Sequence, residues 1–133
     1  MPGPGFQLDC LLDPRLSPHG ASPRPIWLWS ANAHRILWAN PTGAAIFGAA
    51  SPAAAATLDF PATHPAAAQV ARLATTLTDN GAPRLDRLRG FGARGAGTLT
   101  CACSRITLAG GEKAVLIVST ERAGPELSLA ERA

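Results

Sequence analysis

The stretch over residues 25–48, PIWLWSANAHRILWANPTGAAIFG, constrains the fold more than any other part of the chain. It holds two apolar runs of strand length, residues 26–29 and 36–38, and both are rich in β-branched or aromatic side chains. The connection between them is short enough for a hairpin, and Asn32 is the residue in it that best tolerates a left-handed turn conformation. The sequence therefore predicts two paired antiparallel strands at this point.

A short helix is predicted directly after the second strand. Asn40 can accept a hydrogen bond from a free amide of the first helical turn, and Pro41 at the first helical position loses no donor that the helix needs. Gly48 has no Cβ and therefore suits the left-handed position that ends many helices. We assign structural roles to Asn40, Pro41 and Gly48 on these grounds.

The rest of the chain predicts two further helices and three further strands. Ser51-Pro52 repeats the pattern of a cap followed by proline, and predicts a short helix over residues 53–58. A longer helix over residues 65–77, ended by Asn80-Gly81, has apolar side chains at helical spacing. The later segments have the periodicity of strands: 84–91, 98–108 and 113–120.

Two of these later strands carry more specific expectations. In the second, the apolar phase changes near Ser104-Arg105, which predicts a bulge or strong bend. Residues 114–118 of the third are apolar at successive positions, which is typical of a central strand covered on both faces.

At these residues the chain resembles the PAS domain family. Residues 36–40 and 46–48 are similar to the family's opening, in which short strands are followed by an Asn, a helix of small residues and a Phe-Gly pair. His64-Pro65 resembles the family's frequent His-Pro at the start of the long helix, and Thr120-Glu121-Arg122 resembles the Thr-Glu-Arg after its last strand. Val118-Ser119 replaces the Asp that usually precedes that last motif.

The resemblance implies an α+β fold, with a five-stranded antiparallel sheet and short helices on one face. The first and last strands would lie side by side at its centre. We expect the PAS domain to span residues 25–122, preceded by an N-terminal flank or cap over residues 1–24 and followed by the start of a C-terminal linker helix over residues 123–133.

Composition favours a cytoplasmic protein. No apolar run approaches the roughly 18 to 20 residues that cross a bilayer, and the first residues lack the basic and apolar regions of a signal peptide. Cys10, Cys101 and Cys103 include no CxxC pair, which argues against a disulfide framework. No membrane contact by this segment is expected.

Few residues qualify as a cofactor or metal site. His64 is a candidate haem ligand, since haem-binding relatives use a His on the long helix, but a capping role at the helix start is preferred. Cys101 and Cys103 share one strand face and could bind a soft metal with a third ligand, yet they fit better as buried apolar side chains. We therefore predict no bound cofactor and no metal.

Catalysis and nucleic-acid binding are not expected either. The His and acidic residues form no recognisable triad or carboxylate pair, so no catalytic residue is assigned. The net charge is only +3, and Asp86 interrupts the arginine cluster, which therefore favours a solvated strand edge: Arg84, Arg87, Arg89 and Arg94.

The resemblance implies a sensory or dimerising module of a bacterial signal-transduction protein, most often a histidine kinase. Such a module is not itself an enzyme and relays the state of a ligand or partner to a C-terminal effector. Two alternatives stay open: a protein-docking module with a filled core, and a small enzyme or carrier with a similar cavity.

Burial on both sheet faces predicts a homodimer. Residues 26–29 and 114–118 do not alternate between apolar and polar, so the sheet face away from the helices needs a cover. We expect a second copy and the N-terminal flank to supply it, with a dimer face formed by Trp27, Trp29, Leu11 and Leu12.

Overall fold

The computed structural model describes residues 22–91, 98–108 and 111–120. In chain order the elements are β1 (Ile26–Ser30), β2 (Ile36–Ala39), α1 (Pro41–Ile46), α2 (Pro52–Ala55), α3 (Pro65–Thr76), β3 (Arg84–Arg89), β4 (Thr98–Thr107) and β5 (Lys113–Ser119). The strands form one antiparallel sheet in the order β2-β1-β5-β4-β3. The predicted α+β fold is confirmed, including the neighbouring first and last strands and the central position of β5.

One face of the sheet, called here the inner face, carries the helices and the larger core. Trp27 and Trp29 of β1 pair across the strands with Ile117 and Val115 of β5, and all four side chains are buried in this core. The apolar stripe predicted for the long helix, Val70, Leu73, Ala74 and Leu77, lies in the same core, and Ala66 and Ala67 of α3 join it.

The opposite face carries a second buried group, called here the outer cluster. Its members are Ile26, Leu28, Leu37, Trp38, Ile106, Ala114 and Leu116. In the part of the chain that the structure describes, none of these residues lies on a helix. Both faces of the central strands are therefore buried, as the absence of alternation in the sequence indicates.

A bulge in β2 enlarges the outer cluster. Leu28 pairs with Trp38, whereas the next residue, Trp29, pairs with Ile36, so the register shifts by one residue. The extra residue is Leu37, and as a result both Leu37 and Trp38 join the outer cluster while Ile36 and Ala39 stay in the inner core.

The predicted bulge at Ser104-Arg105 is wrong. β4 and β5 pair without a register shift from Cys101↔Ser119 to Thr107↔Lys113. Cys101 and Cys103 belong to the inner core and Ile106 to the outer cluster. The change of apolar phase thus arises because both faces of one regular strand are buried. In the sequence, this pattern looks the same as a one-residue slip in register.

The expected dimer face is wrong for Trp27 and Trp29, because both side chains lie in the inner core under the helices. Ile26 and Leu28, the alternate residues of the same strand, face the outer cluster instead. The sequence could not settle which set faces outward, since every residue of this run is apolar. Leu11 and Leu12 lie outside the described residues.

The hairpin turn uses a different residue from the predicted one. Ala33 has the left-handed backbone, with φ of 67°, rather than Asn32. Asn32 instead accepts hydrogen bonds through Oδ1 from the Ser30 hydroxyl at 2.6 Å and from the His34 amide at 3.0 Å. The Asn32 side chain therefore stabilises the turn through hydrogen bonds, and the adjacent Ala33 adopts the left-handed conformation.

Helix ends differ from the predictions by small amounts. α1 starts at Pro41 as predicted, and Gly48 takes the left-handed conformation just after it, with φ of 79°. α3 ends at Thr76, and Asn80 rather than Gly81 has positive φ. The Asn80 amide donates a hydrogen bond to the Arg105 carbonyl of β4 at 2.7 Å, which holds Asn80 against this strand. None of the helices within residues 22–91, 98–108 and 111–120 is long and apolar enough to cross a bilayer.

Candidate ligand-binding site

Asn40 ties the start of the sheet to the first helix. Its Oδ1 accepts hydrogen bonds from the Gly43 amide at 2.8 Å and from the Ile26 amide at 3.1 Å. Its Nδ2 donates to the Arg24 carbonyl at 2.9 Å and to the Ser22 carbonyl at 3.4 Å. The predicted capping role is confirmed, and this fully buried side chain also fixes the entry of the chain from Ser22 onward.

Gly43 allows α1 to lie directly on β1. A Cβ at this position would come within 2.5 Å of the Ile26 carbonyl oxygen, so only glycine fits this approach. The Gly43 carbonyl in turn accepts a hydrogen bond from Trp27 Nε1 at 2.9 Å. The close contact between backbone segments therefore also satisfies a buried indole N–H.

A group of aromatic rings fills the space between α1, β1 and the segment before α3. Trp29 packs against Phe60 with ring centroids 4.7 Å apart, and Trp27 packs against Phe91 at 4.9 Å. Phe47 makes edge contacts with both tryptophans, at 5.9 and 6.1 Å. Aromatic side chains therefore fill much of this part of the inner core.

A cavity of about 380 Å³ opens beside this aromatic group. Its walls come from the end of α1, the segment before α3 and the cap of α3: Ala45, Ile46, Phe47, Gly48, Leu58, Asp59, Phe60 and His64. The size suits a small organic ligand, and the lining is mostly apolar with few polar groups. We take this cavity as the candidate site.

All three structural residues from the sequence analysis help to shape the cavity. Gly48 ends α1 in the cavity wall. Asn40 and Pro41 position the same helix from its other end. They act on the site through the placement of α1.

His64 caps α3, as the preferred interpretation predicts. Its Nδ1 accepts a hydrogen bond from the Ala66 amide at 3.0 Å. The ring also lies edge-on to Phe60, with centroids 5.1 Å apart and an interplanar angle of 90°. Because Nδ1 is engaged by the helix, a metal ligand at this residue would have to use Nε2.

Cys101 and Cys103 are buried side by side in the inner core, as predicted. Burial, together with the nearby Asp86 carboxylate, raises the pKa of the Cys103 thiol to about 12, while Arg72 and Arg84 oppose the shift. The thiolate that metal binding and nucleophilic attack require is therefore disfavoured. No group of three His, Cys, Asp or Glu side chains among the described residues could hold a metal ion.

The arginines of β3 lie on the solvated edge of the sheet, as predicted. Arg84, Arg87 and Arg89 are exposed on this edge strand, and Arg94 lies outside the described residues. Asp86 lies 3.2 Å from Arg72 of α3 and 3.9 Å from Arg84. These charges thus join the long helix to the sheet edge, where Asp86 separates Arg84 from Arg87 in the sequence.

Comparison with solved structures identifies the fold. The PAS domain of an HTR-like protein from Haloarcula marismortui superposes with a TM-score of 0.52 at 18% sequence identity, over 75% of this chain and 87% of that chain. The chain has a PAS fold. A domain of the sensory box sensor histidine kinase/response regulator from Geobacter sulfurreducens matches with a TM-score of 0.47 and 20% identity, over 86% of this chain and 97% of that chain.

Comparison of sequences adds no relative: no protein-family model matches the chain, and no curated protein matches it. The PAS fold therefore rests on the strand order, the helices on one face and the structural superposition. The function has to be argued from the site.

Sequence reasoning missed the cavity wall of this PAS fold. Phe47 was assigned only to the Phe-Gly pair of the family's opening, and Asp59 and Phe60 were assigned no role. A compositional signal existed: the chain has only 4 Phe and 3 Trp, and such scarce rings tend to pack together. These residues are brought together by tertiary contacts between the end of α1 and the segment before α3, and the local hydrophobic periodicity of the sequence does not show such contacts.

Proposed function

We propose that this chain is a sensory module of a bacterial signal-transduction protein, most plainly a histidine kinase, in which the cavity receives a small ligand. The observation that supports this most is the cavity itself, placed against the rings that pack on β1. The module is non-enzymatic and its occupancy would be read by a C-terminal effector. The buried thiols suit a reducing, cytoplasmic setting.

A continuous set of contacts leads from the cavity to the end of the sheet. Phe60 of the cavity wall packs on Trp29, and Trp29 pairs with Val115 of β5. At the other end of that strand pair, the Ser119 amide donates to the Pro25 carbonyl at 3.0 Å. The Thr120 amide donates to the Thr100 carbonyl at 3.0 Å, and residues 121–133 follow in the sequence.

A ligand transmits a signal only if it binds two arrangements of the protein with different affinity. In this proposal the two arrangements differ in how firmly the end of β5 is held by the bonds of Ser119 and Thr120. Occupancy of the cavity would shift Phe60 against Trp29 and so change that hold.

A substitution that fills the cavity tests this without knowledge of the ligand. Ala45 is an exposed lining residue, and Ala45→Leu would place a larger side chain at the cavity. Ala53→Leu is a matched control, because Ala53 is an exposed helical residue outside the lining. We expect amide hydrogen exchange at Ser119 and Thr120 to change in Ala45→Leu and to stay as in the parent in Ala53→Leu; identical exchange in all three proteins would refute the relay.

The outer cluster supports a second proposal, homodimerisation. Its side chains are buried, although no described helix packs on them, and Trp38 Nε1 is buried there without a hydrogen-bond partner. These side chains are only 0 to 8% exposed within a single chain, so we propose that the flank over residues 1–24 covers this face and that a second copy packs on the covered face.

Sedimentation velocity of the full chain and of a truncated chain tests the dimer. The truncation should remove residues 1–21 only, since the carbonyls of Ser22 and Arg24 accept bonds from Asn40. A dimer in the full chain that weakens on truncation supports both parts of the proposal. A concentration-independent monomer for the full chain would exclude the dimer, and an unchanged dimer after truncation would exclude the flank from the interface.

A further inference from the structure

Three aromatic rings line the cavity at steep angles to one another. Phe47 and Phe60 have centroids 5.3 Å apart at an interplanar angle of 80°, and Phe60 and His64 are 5.1 Å apart at 90°. Phe47 and His64 are 6.3 Å apart at 57°. The three centroids thus lie 5.1 to 6.3 Å apart, so a cation beside one ring is also close to the others, within the roughly 6 Å range of cation–ring attraction.

The described residues of the cavity lining include one negatively charged side chain. Asp59 contributes a carboxylate, and its side chain is 81% exposed, so it is accessible from solvent at the cavity. No Lys or Arg belongs to the part of the lining formed by described residues. Arg35 approaches Asp59 from outside the lining, with 3.2 Å between Nη2 and Oδ1.

We propose that the cavity binds a small organic cation, with an alkylated ammonium group among the rings of Phe47, Phe60 and His64 and the Asp59 carboxylate beside it. This inference rests on the proposed function, since it names the ligand class for the same cavity. Alkyl groups on the nitrogen contact the apolar wall, and the charge is attracted by both the ring faces and the carboxylate.

The same features disfavour the other ligand charges. An anion would meet the Asp59 carboxylate, whose nearest described cation, Arg35, already pairs with it at 3.2 Å. At His64, Nδ1 accepts the Ala66 amide hydrogen and so offers no N–H to an anion. A neutral ligand of equal shape would gain the apolar contacts without the electrostatic ones.

A pair of probes of equal shape separates charge from size. Choline carries a trimethylammonium group, and 3,3-dimethylbutan-1-ol replaces its nitrogen by carbon. Both are titrated into the full 133-residue chain, and binding is followed by the NMR shifts of the Gly48 and His64 amides. We expect choline to bind about tenfold more tightly than the alcohol, because ring and carboxylate attraction together are worth on the order of 1.4 kcal/mol.

Variants then assign the preference to residues. Asp59→Asn is expected to weaken choline binding by about threefold to tenfold and to leave alcohol binding unchanged. Glu112→Gln is the matched control, since Glu112 is an exposed acid outside the lining and should alter neither probe. Phe47→Leu removes one ring but keeps an apolar side chain, and it should reduce the preference for choline while the alcohol still binds.

The outcomes separate this inference from the proposed function. Equal binding of the two probes, or binding of the alcohol alone, overturns the cation class and leaves a ligand cavity in place. Absence of choline shifts at the cavity amides, or equal effects of Asp59→Asn and Glu112→Gln, also overturns it. Choline binding that shifts the cavity amides but leaves Ser119 and Thr120 unchanged supports the cation site and counts against the relay instead.

Discussion

The rings of Trp29 and Phe60 lie 4.7 Å apart, and this contact joins the wall of the cavity to the centre of the sheet. Phe60 is held in place from its backbone as well, since its amide donates to the His34 carbonyl at 2.9 Å. The hairpin turn, the cavity and the first strand therefore meet at one residue. This arrangement makes Phe60 both a core residue and a site residue.

Replacing Phe60 by Ala should be costly. The side chain is only 6% exposed, so its removal leaves a void against Trp29 and Phe47. We expect the free energy of unfolding to fall by about 3 to 5 kcal/mol, measured by urea denaturation. Leu85→Ala is the control, because Leu85 is 67% exposed and its loss should change stability by no more than about 0.5 kcal/mol. Comparable losses in the two variants would contradict the burial described for Phe60.

Asn40→Ala should cost more than the loss of an ordinary helix cap. It removes the acceptor of the Gly43 amide and also leaves the buried Ile26 amide without its Asn40 partner. We expect a loss of about 2 to 4 kcal/mol in the free energy of unfolding. Ser51→Ala is the comparison, since Ser51 caps α2 by a single bond to the Ala54 amide and should cost about 0.5 to 2 kcal/mol. Equal losses would show that the bond to Ile26 adds nothing.

Gly43→Ala and Gly48→Ala should both lower the stability of the fold, but by different amounts and for different reasons. A Cβ at Gly43 would meet the Ile26 carbonyl oxygen at 2.5 Å, so the helix would have to move away from β1 at a cost of about 1 to 3 kcal/mol. Gly48 has open space around it, and its substitution meets only the positive φ, at a cost of about 1 kcal/mol. Thermal denaturation of both variants gives the order, and a more stable Gly43→Ala protein would contradict the close approach.

Cys103 should resist thiol reagents in the folded protein. Its pKa is raised to about 12 from 9.0, so the thiol stays protonated near pH 8. Labelling by iodoacetamide, located by mass spectrometry, is expected to be slow in buffer and fast in concentrated urea. Labelling of Cys103 at the same rate in both would contradict its burial.

The same shift predicts a change of stability with pH. The unfolded chain loses the Cys103 proton near pH 9 and the folded chain only near pH 12, so this group's contribution is complete below pH 9 and is lost as the pH rises towards 12. Cys103→Ala should therefore flatten the fall of stability in that window relative to the parent protein. Denaturation midpoints of both proteins at several pH values measure the difference.

The local elements were predictable where one residue carries a clear backbone signal. Asn40-Pro41 and Gly48 fixed the start and end of α1, and the apolar run at residues 114–118 identified a central strand. The faces of β1 were not predictable, because Ile26 and Leu28 are as apolar as Trp27 and Trp29. The bulge at Leu37 likewise depends on pairing with β1, which the sequence of β2 alone does not show.

The cavity was harder to predict for a related reason. Phe47 follows α1, whereas Asp59 and Phe60 precede α3, and only the packing of these two segments brings them together. His64 was the exception, since its place before a proline indicated the helix cap that it forms. Its second role as a cavity wall follows from the ring contacts with Phe47 and Phe60.

The most direct test of the proposed relay is a double-mutant cycle between the cavity and its contact with the sheet. Ala45→Leu and Phe60→Leu are made singly and together, and the protection of the Ser119 and Thr120 amides is measured by hydrogen exchange. If the cavity acts on β5 through Phe60 and Trp29, Ala45→Leu should change this protection in the parent and change it much less once Phe60 is replaced, with a coupling above about 0.5 kcal/mol. Additive effects, or no effect of Ala45→Leu in the parent, would contradict the account.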